Sequence, residues 1–113
     1  MKLPNGHLAY IPPKKLTDYL LSADHPDGRH KAVLFERFGF GEAELRQTLL
    51  NLAASQEVVS MTEGPHGTSF VIAHLVSTPK EPERLIPLKS IWFIDRGGSR
   101  SRLVTAYIDK EAS

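Results

Sequence analysis

The residues best suited to chemistry stand close together in His25-Pro26-Asp27-Gly28-Arg29-His30-Lys31. An imidazole, a guanidinium and an ammonium there surround the start of a helix. The free N–H groups and positive dipole end of such a terminus favour an anion, and Arg29 and Lys31 add charge-assisted hydrogen bonds suited to phosphate. The same residues also support a plainer reading, in which His25 caps or bridges the loop and Arg29 and Lys31 pair with Asp24, Asp27 or Glu36. A second pair, Thr105 and Tyr107, lies two residues apart near the other end of the chain. On a strand both project to one side, where their hydroxyls either meet a phosphate or base or serve as sheet-forming core residues. Trp92 either stacks a base or fills the core.

Other chemistries find little here. The chain has no cysteine, which removes thiolate metal sites, thiol nucleophiles and disulfides and fits a reducing cytoplasm. His25 and His30 lack the carboxylate partners of a metal site, and His66 and His74 read as turn polarity and a half-buried strand imidazole. Gly97-Gly98 is an isolated pair, so phosphate-loop and dinucleotide signatures are missing, as is a nucleophile elbow. No cofactor is expected. A formal net charge of +1 lacks the footprint of a protein that coats nucleic acid, so any polyanion site must be local. The most uneven stretch holds Arg84, Lys89, Arg96, Arg100 and Arg102 against Asp95 alone. The near balance also disfavours an antitoxin or immunity protein, which would carry an acidic face.

The elements that must position these groups follow from periodicity. Pro13 to Leu21 is expected to be a helix, with Leu16, Tyr19 and Leu20 as its buried stripe, after an extended stretch from His7 to Ile11. Ser22 to Gly28 is a loop. A second helix runs from an Asp27 cap to about Phe38, with Ala32, Phe35 and Phe38 inward, and Gly39 and Gly41 stop it. A third, Glu42 to Ser55, turns Leu45, Leu49 and Leu52 to one side. The period then changes to two, which predicts strands at Glu57–Thr62, Ser69–Ser77, Ile86–Ile94 and Arg102–Ile108. Strict alternation along the last puts Leu103, Thr105 and Tyr107 on one face and Arg102, Val104, Ala106 and Ile108 on the other. The expected class is α+β, about three N-terminal helices packed on a C-terminal antiparallel sheet of about four strands. With 113 residues this is one domain. No apolar run approaches the roughly 20 residues of a membrane helix, and Lys2-Leu3-Pro4-Asn5 lacks the core of a signal peptide, so the cytoplasm is the expected location.

Three stretches carry a resemblance: Leu16 to Ser22, His25 to Ala32 with Phe35, Gly39 and Phe40, and Ser90-Ile91-Trp92-Phe93-Ile94 followed by Arg102 to Tyr107. Through them nearly the whole chain resembles an uncharacterised bacterial and phage-associated domain family. More distantly it is similar to small toxin ribonucleases of the barnase, EndoU, colicin and RelE-like superfamily, whose sheet holds the active site. The resemblance implies metal-independent RNA cleavage, with a base for the 2′-hydroxyl, an acid for the leaving oxygen and cations for the transition state. The catalytic set it implies is His25, Lys31, Thr105 and Tyr107. In that set His25 is the acid or base, Lys31 and Arg29 clamp phosphate, and Thr105 and Tyr107 supply hydrogen bonds. Arg102 is a further clamp, though alternation turns it away from Thr105. The implied partners are RNA and a small cognate inhibitor protein, with the chain a monomer or homodimer. The competing expectation is a non-catalytic module that binds protein or nucleic acid through Trp92, Tyr107 and the arginine-rich turn. Catalysis requires the His25 bend to lie beside the hydroxyls of the last strand.

Overall fold

The computed structural model describes residues 1–16 and 29–109, the side chains of 29–31 excepted. Three helices, α1 (Pro13–Lys15), α2 (Arg29–Arg37) and α3 (Glu42–Ser55), precede four strands, β1 (Ser60–Gly64), β2 (Gly67–Ser77), β3 (Leu85–Asp95) and β4 (Arg102–Ile108). The strands form an antiparallel sheet in the order β1-β2-β3-β4. The fold is α+β with its helices N-terminal. Among the described residues no helix is long and apolar enough to cross a membrane.

α3 and β4 have the bounds that periodicity predicts, because each lies between clear stops. α3 starts where the Glu44 carboxylate accepts the Gly41 N–H at 3.0 Å, satisfying one of the helix's orphan donors. α2 ends at Arg37, one residue before the expected stop, and Gly39 follows in the left-handed region at φ 87°. The Asp27 cap and the part of the first helix from Thr17 to Leu21 lie outside the described residues.

Two expected element bounds need correction. The stretch His7–Ile11 is not extended throughout: Gly6–Leu8 forms a 3₁₀ turn, after which Tyr10 pairs in parallel with Arg102 at the edge of β4. β1 begins at Ser60 rather than Glu57, because Glu57 bridges to Lys2 and the Val58 N–H donates to the Met1 carbonyl at 2.6 Å. Those residues answer to the N-terminal segment instead of to β2.

The inner face of the sheet meets the helices. Leu16, Phe35, Leu45 and Leu49 are buried with Ile72, Leu88, Trp92 and Leu103 in one core. Trp92 is 0% exposed and its Nε1–H donates to Ser90 Oγ at 3.0 Å, so its polar edge is satisfied inside the core. It therefore cannot belong to a binding surface, and that part of the binding-module expectation is withdrawn.

The register of β4 contains the most consequential departure. Ile91 pairs with Thr105 but Trp92 pairs with Leu103, so Val104 is an extra residue in the ladder. A bulge of this kind reverses the facing of everything beyond it. Leu103 consequently points inward with Ala106, both fully buried. Arg102 comes to the outer face with Thr105 and Tyr107, the opposite of what alternation predicts.

Core packing and glycine geometry yield two tests. Leu49→Ala should cost about 3 kcal/mol in urea unfolding, the usual penalty for a fully buried leucine. Gly67 sits at φ 149°, and a Cβ there would strike the Ile94 carbonyl and lie 2.7 Å from the Phe93 ring. Gly67→Ala should therefore lower the unfolding midpoint clearly. Gly64→Ala, whose nearest neighbour would be the Gly67 carbonyl at 3.8 Å, should leave it nearly unchanged.

Candidate functional site

Cross-strand pairing builds a polar surface on the outer side of β3 and β4. Lys89 pairs with Tyr107, Ile91 with Thr105, and Phe93 with Arg102, and all six are half-buried. At one end Arg102 lies over the Phe93 ring, 5.2 Å from its centroid, and binds Asp95 through Nε at 3.4 Å and Nη2 at 3.3 Å. At the other end Lys89 Nζ lies 5.9 Å from the centre of the Tyr107 ring and 3.5 Å from Asp109. Two cation, ring and carboxylate sets thus flank Thr105. They stand four residues apart on β3, about 13 Å at the usual rise per residue.

The electrostatics of both ends hold the cations charged. The Lys89 ammonium is pushed above its ordinary value first by the Tyr107 oxygen and then by Asp109. The Arg102 guanidinium is raised further, mainly by its hydrogen bond to Asp95. The remaining basic residues of the uneven stretch divide. Arg84 lies 4.9 Å over Phe38, and Arg100 lies 4.3 Å over Tyr10 with its Nε–H donated to the Leu8 carbonyl. Arg96 is exposed in the β3–β4 turn, where its backbone N–H donates to the His66 carbonyl.

Of the residues singled out from sequence, Arg102, Thr105 and Tyr107 come together on this face. Thr105 and Tyr107 make interactions of their own. Arg29 and Lys31 fall in the first turn of α2, and both α1 and α2 lie against β4. His25 lies outside the described residues. Lys89, named from sequence only as part of the uneven basic stretch, Phe93, named only within the resemblance, and Asp109 were not among the expected site residues. A signal for the first two was present, since alternation along β3 turns Lys89, Ile91 and Phe93 away from the buried Leu88, Ser90 and Trp92. His66 sits exposed at the tip of the β1–β2 hairpin, and His74 is exposed on β2 rather than half-buried. Among the described residues no three imidazole or carboxylate groups converge as a metal site would require.

Residues 2–110 match the family described as Domain of unknown function (DUF6883), and the chain belongs to it. No curated protein matches the sequence. The fold is similar to that of a solved chain from a "Contact-dependent growth inhibition toxin - immunity protein complex from Klebsiella pneumoniae 342". The two share 14% identity with a TM-score of 0.70, over 88% of this chain and 98% of that one. At that identity the likeness is one of fold.

The Lys89 pair has a definite pH signature. A lysine whose pKa is raised on folding contributes stability that is complete below the ordinary lysine range, near 10.4, and disappears as pH rises through the higher folded value. Tyr107→Phe and Asp109→Asn should each lower the Lys89 pKa followed by NMR at the side-chain CεH₂, the tyrosine change more. An unmoved titration in both variants would show that neither group senses the ammonium.

Proposed function

We propose that this DUF6883 domain is a toxin-type ribonuclease that acts on RNA in the cytoplasm by metal-independent acid–base chemistry and is restrained by a small cognate protein. The observation that carries the reading is the β4 bulge, which sets Arg102 beside Thr105 and Tyr107 on the face turned away from the helices. Cations and hydroxyls on one open sheet face are what a phosphodiester needs to be gripped and its transition state stabilised. In this reading Arg102 contacts phosphate, Thr105 and Tyr107 donate hydrogen bonds, and Lys31 and Arg29 clamp phosphate at the sheet's edge, where α2 meets the edge strand β4. His25 supplies the acid or base. The fold likeness to a chain solved in a toxin and immunity protein complex supports a protein partner of matched kind.

A second reading has its own observation. Both cations on the face are ion-paired, Arg102 with Asp95 and Lys89 with Asp109, an arrangement that also suits recognition without reaction. In that case the same face holds a partner and cleaves nothing.

RNA cleavage separates the two. The native chain should cut single-stranded RNA equally with and without EDTA, and His25→Ala should reduce the rate by about 10²–10⁴-fold, the usual share of an acid–base group. Lys31→Ala and Arg102→Ala should each slow it at least tenfold, and Tyr107→Phe should also reduce it. Equal rates in native, His25→Ala and Lys31→Ala proteins would remove the site assignment. An inactive native chain that still binds RNA or a protein would establish the second reading.

A further inference from the structure

The outer face has a second feature at the end beyond Thr105. One row of pairing crosses all four strands there, from Thr62 on β1 through Ser69 on β2 and Phe93 on β3 to Arg102 on β4. The row thus presents two hydroxyls, a ring and a guanidinium, spanning roughly 14 Å at the usual strand spacing. Beside it the hairpin closes with Gly64 opposite Gly67. The Phe93 ring closes over Gly67 while Gly64 leaves open space, and between them lies a cavity of about 270 Å³ lined by Phe93 and Pro65, with Thr62, His66 and Ser69 at its margin.

Size, shape and charge of this cavity point the same way. It lies just below the usual range of small-molecule sites, about 300–1,000 Å³, and suits one flat ring system rather than a whole nucleotide. Its wall is an aromatic ring, on which any base can stack. The rest of the lining is almost wholly apolar, so a ring there would be held by stacking and apolar contact rather than by hydrogen bonds at its edge. Two arginines stand next to it. Arg102 lies over Phe93, and Arg96 is tied by its backbone to His66. With Arg102 paired to Asp95, the two arginines leave one net positive charge outside an apolar slot, which complements a ligand whose flat apolar part carries phosphates.

We propose that the Gly64–Gly67 cavity is a subsite for one nucleobase of a single-stranded nucleic acid, stacked on Phe93, with the adjoining phosphates met by Arg96 and Arg102. It rests on the reading of the outer face as an RNA-contacting surface and gives that surface a polarity. The base-holding end is at the hairpin, and the strand runs from there along β4 past Thr105 and Tyr107. The close approach of the Phe93 ring to Gly67 is part of the site, because any side chain at Gly67 would displace the stacking wall.

The test uses the full chain and a 2′-O-methyl RNA tetramer, which binds but cannot be cleaved through its 2′-oxygen. Amide NMR shifts at Gly64, Gly67 and Phe93 should saturate with this tetramer and, at least tenfold more weakly, with a nucleoside 5′-monophosphate. Ribose 5-phosphate should leave them unmoved. Gly64→Val fills the cavity from a position where a Cβ meets nothing closer than 3.8 Å. It should keep the native spectrum elsewhere and weaken tetramer binding at least tenfold, as should Phe93→Leu. Shifts equal for ribose 5-phosphate and the nucleotide, or native affinity in both variants, would overturn the subsite. Equal affinity for tetramer and mononucleotide would overturn its assignment to a strand. Loss of RNA cleavage with these shifts intact would count against the ribonuclease reading alone and leave the subsite supported.

Discussion

One extra residue in β4 determines which side chains share a surface. Val104 has no ladder partner of its own, and the pairing on its two sides differs in phase by one residue. Both sides of the bulge still answer to the core. Leu103 follows Trp92 inward and Ala106 follows Ser90 inward, so each half of the strand buries one fully enclosed residue against the helices. A regular strand would have turned Leu103 out to solvent or Ala106 away from Ser90. The apolar demand of the inner face thus selects the bulge, and the composition of the outer face follows from it.

The same core constrains the rest of the sheet. Trp92 is enclosed with its N–H satisfied by Ser90, whose hydroxyl lies 3.5 Å from the Ile72 carbonyl, linking two strands through buried polar contacts. Because β3 pairs along its whole length with β2, its alternation is strict, and every residue next to a buried one faces outward. Lys89, Ile91 and Phe93 owe their exposure to that rule.

Four of the five basic residues between Arg84 and Arg102 are held by rings. Arg84, Lys89, Arg100 and Arg102 each lie over an aromatic side chain, and two of them also hold a carboxylate. Rings attract cations without neutralising them, so such residues keep both a defined position and their charge. On the outer face each such cation also has its carboxylate, so the face holds fixed charges of both signs without a net excess. An isolated ion pair at the surface would contribute little, but a stacked and paired guanidinium loses less freedom when it meets a ligand.

Much of the architecture was legible from residue order. The 3.6-residue spacing of Leu45, Leu49 and Leu52, the change to a period of two after Ser55, and the proline- and glycine-marked turns determined the element types and their succession, because these are local properties of the backbone. β1 was misplaced because Glu57 and Val58 satisfy their backbone with the distant Met1 and Lys2, a choice no local pattern records. The candidate face was half legible. Thr105 and Tyr107 share a side by simple alternation, but Arg102 joins them only through a bulge, and Lys89, Phe93 and Asp109 only through the register between strands. By itself the sequence determined which residues are helical, extended or turning. Only the tertiary structure decided which of them face the same way, since facing depends on a one-residue phase between strands that is set by packing against the core.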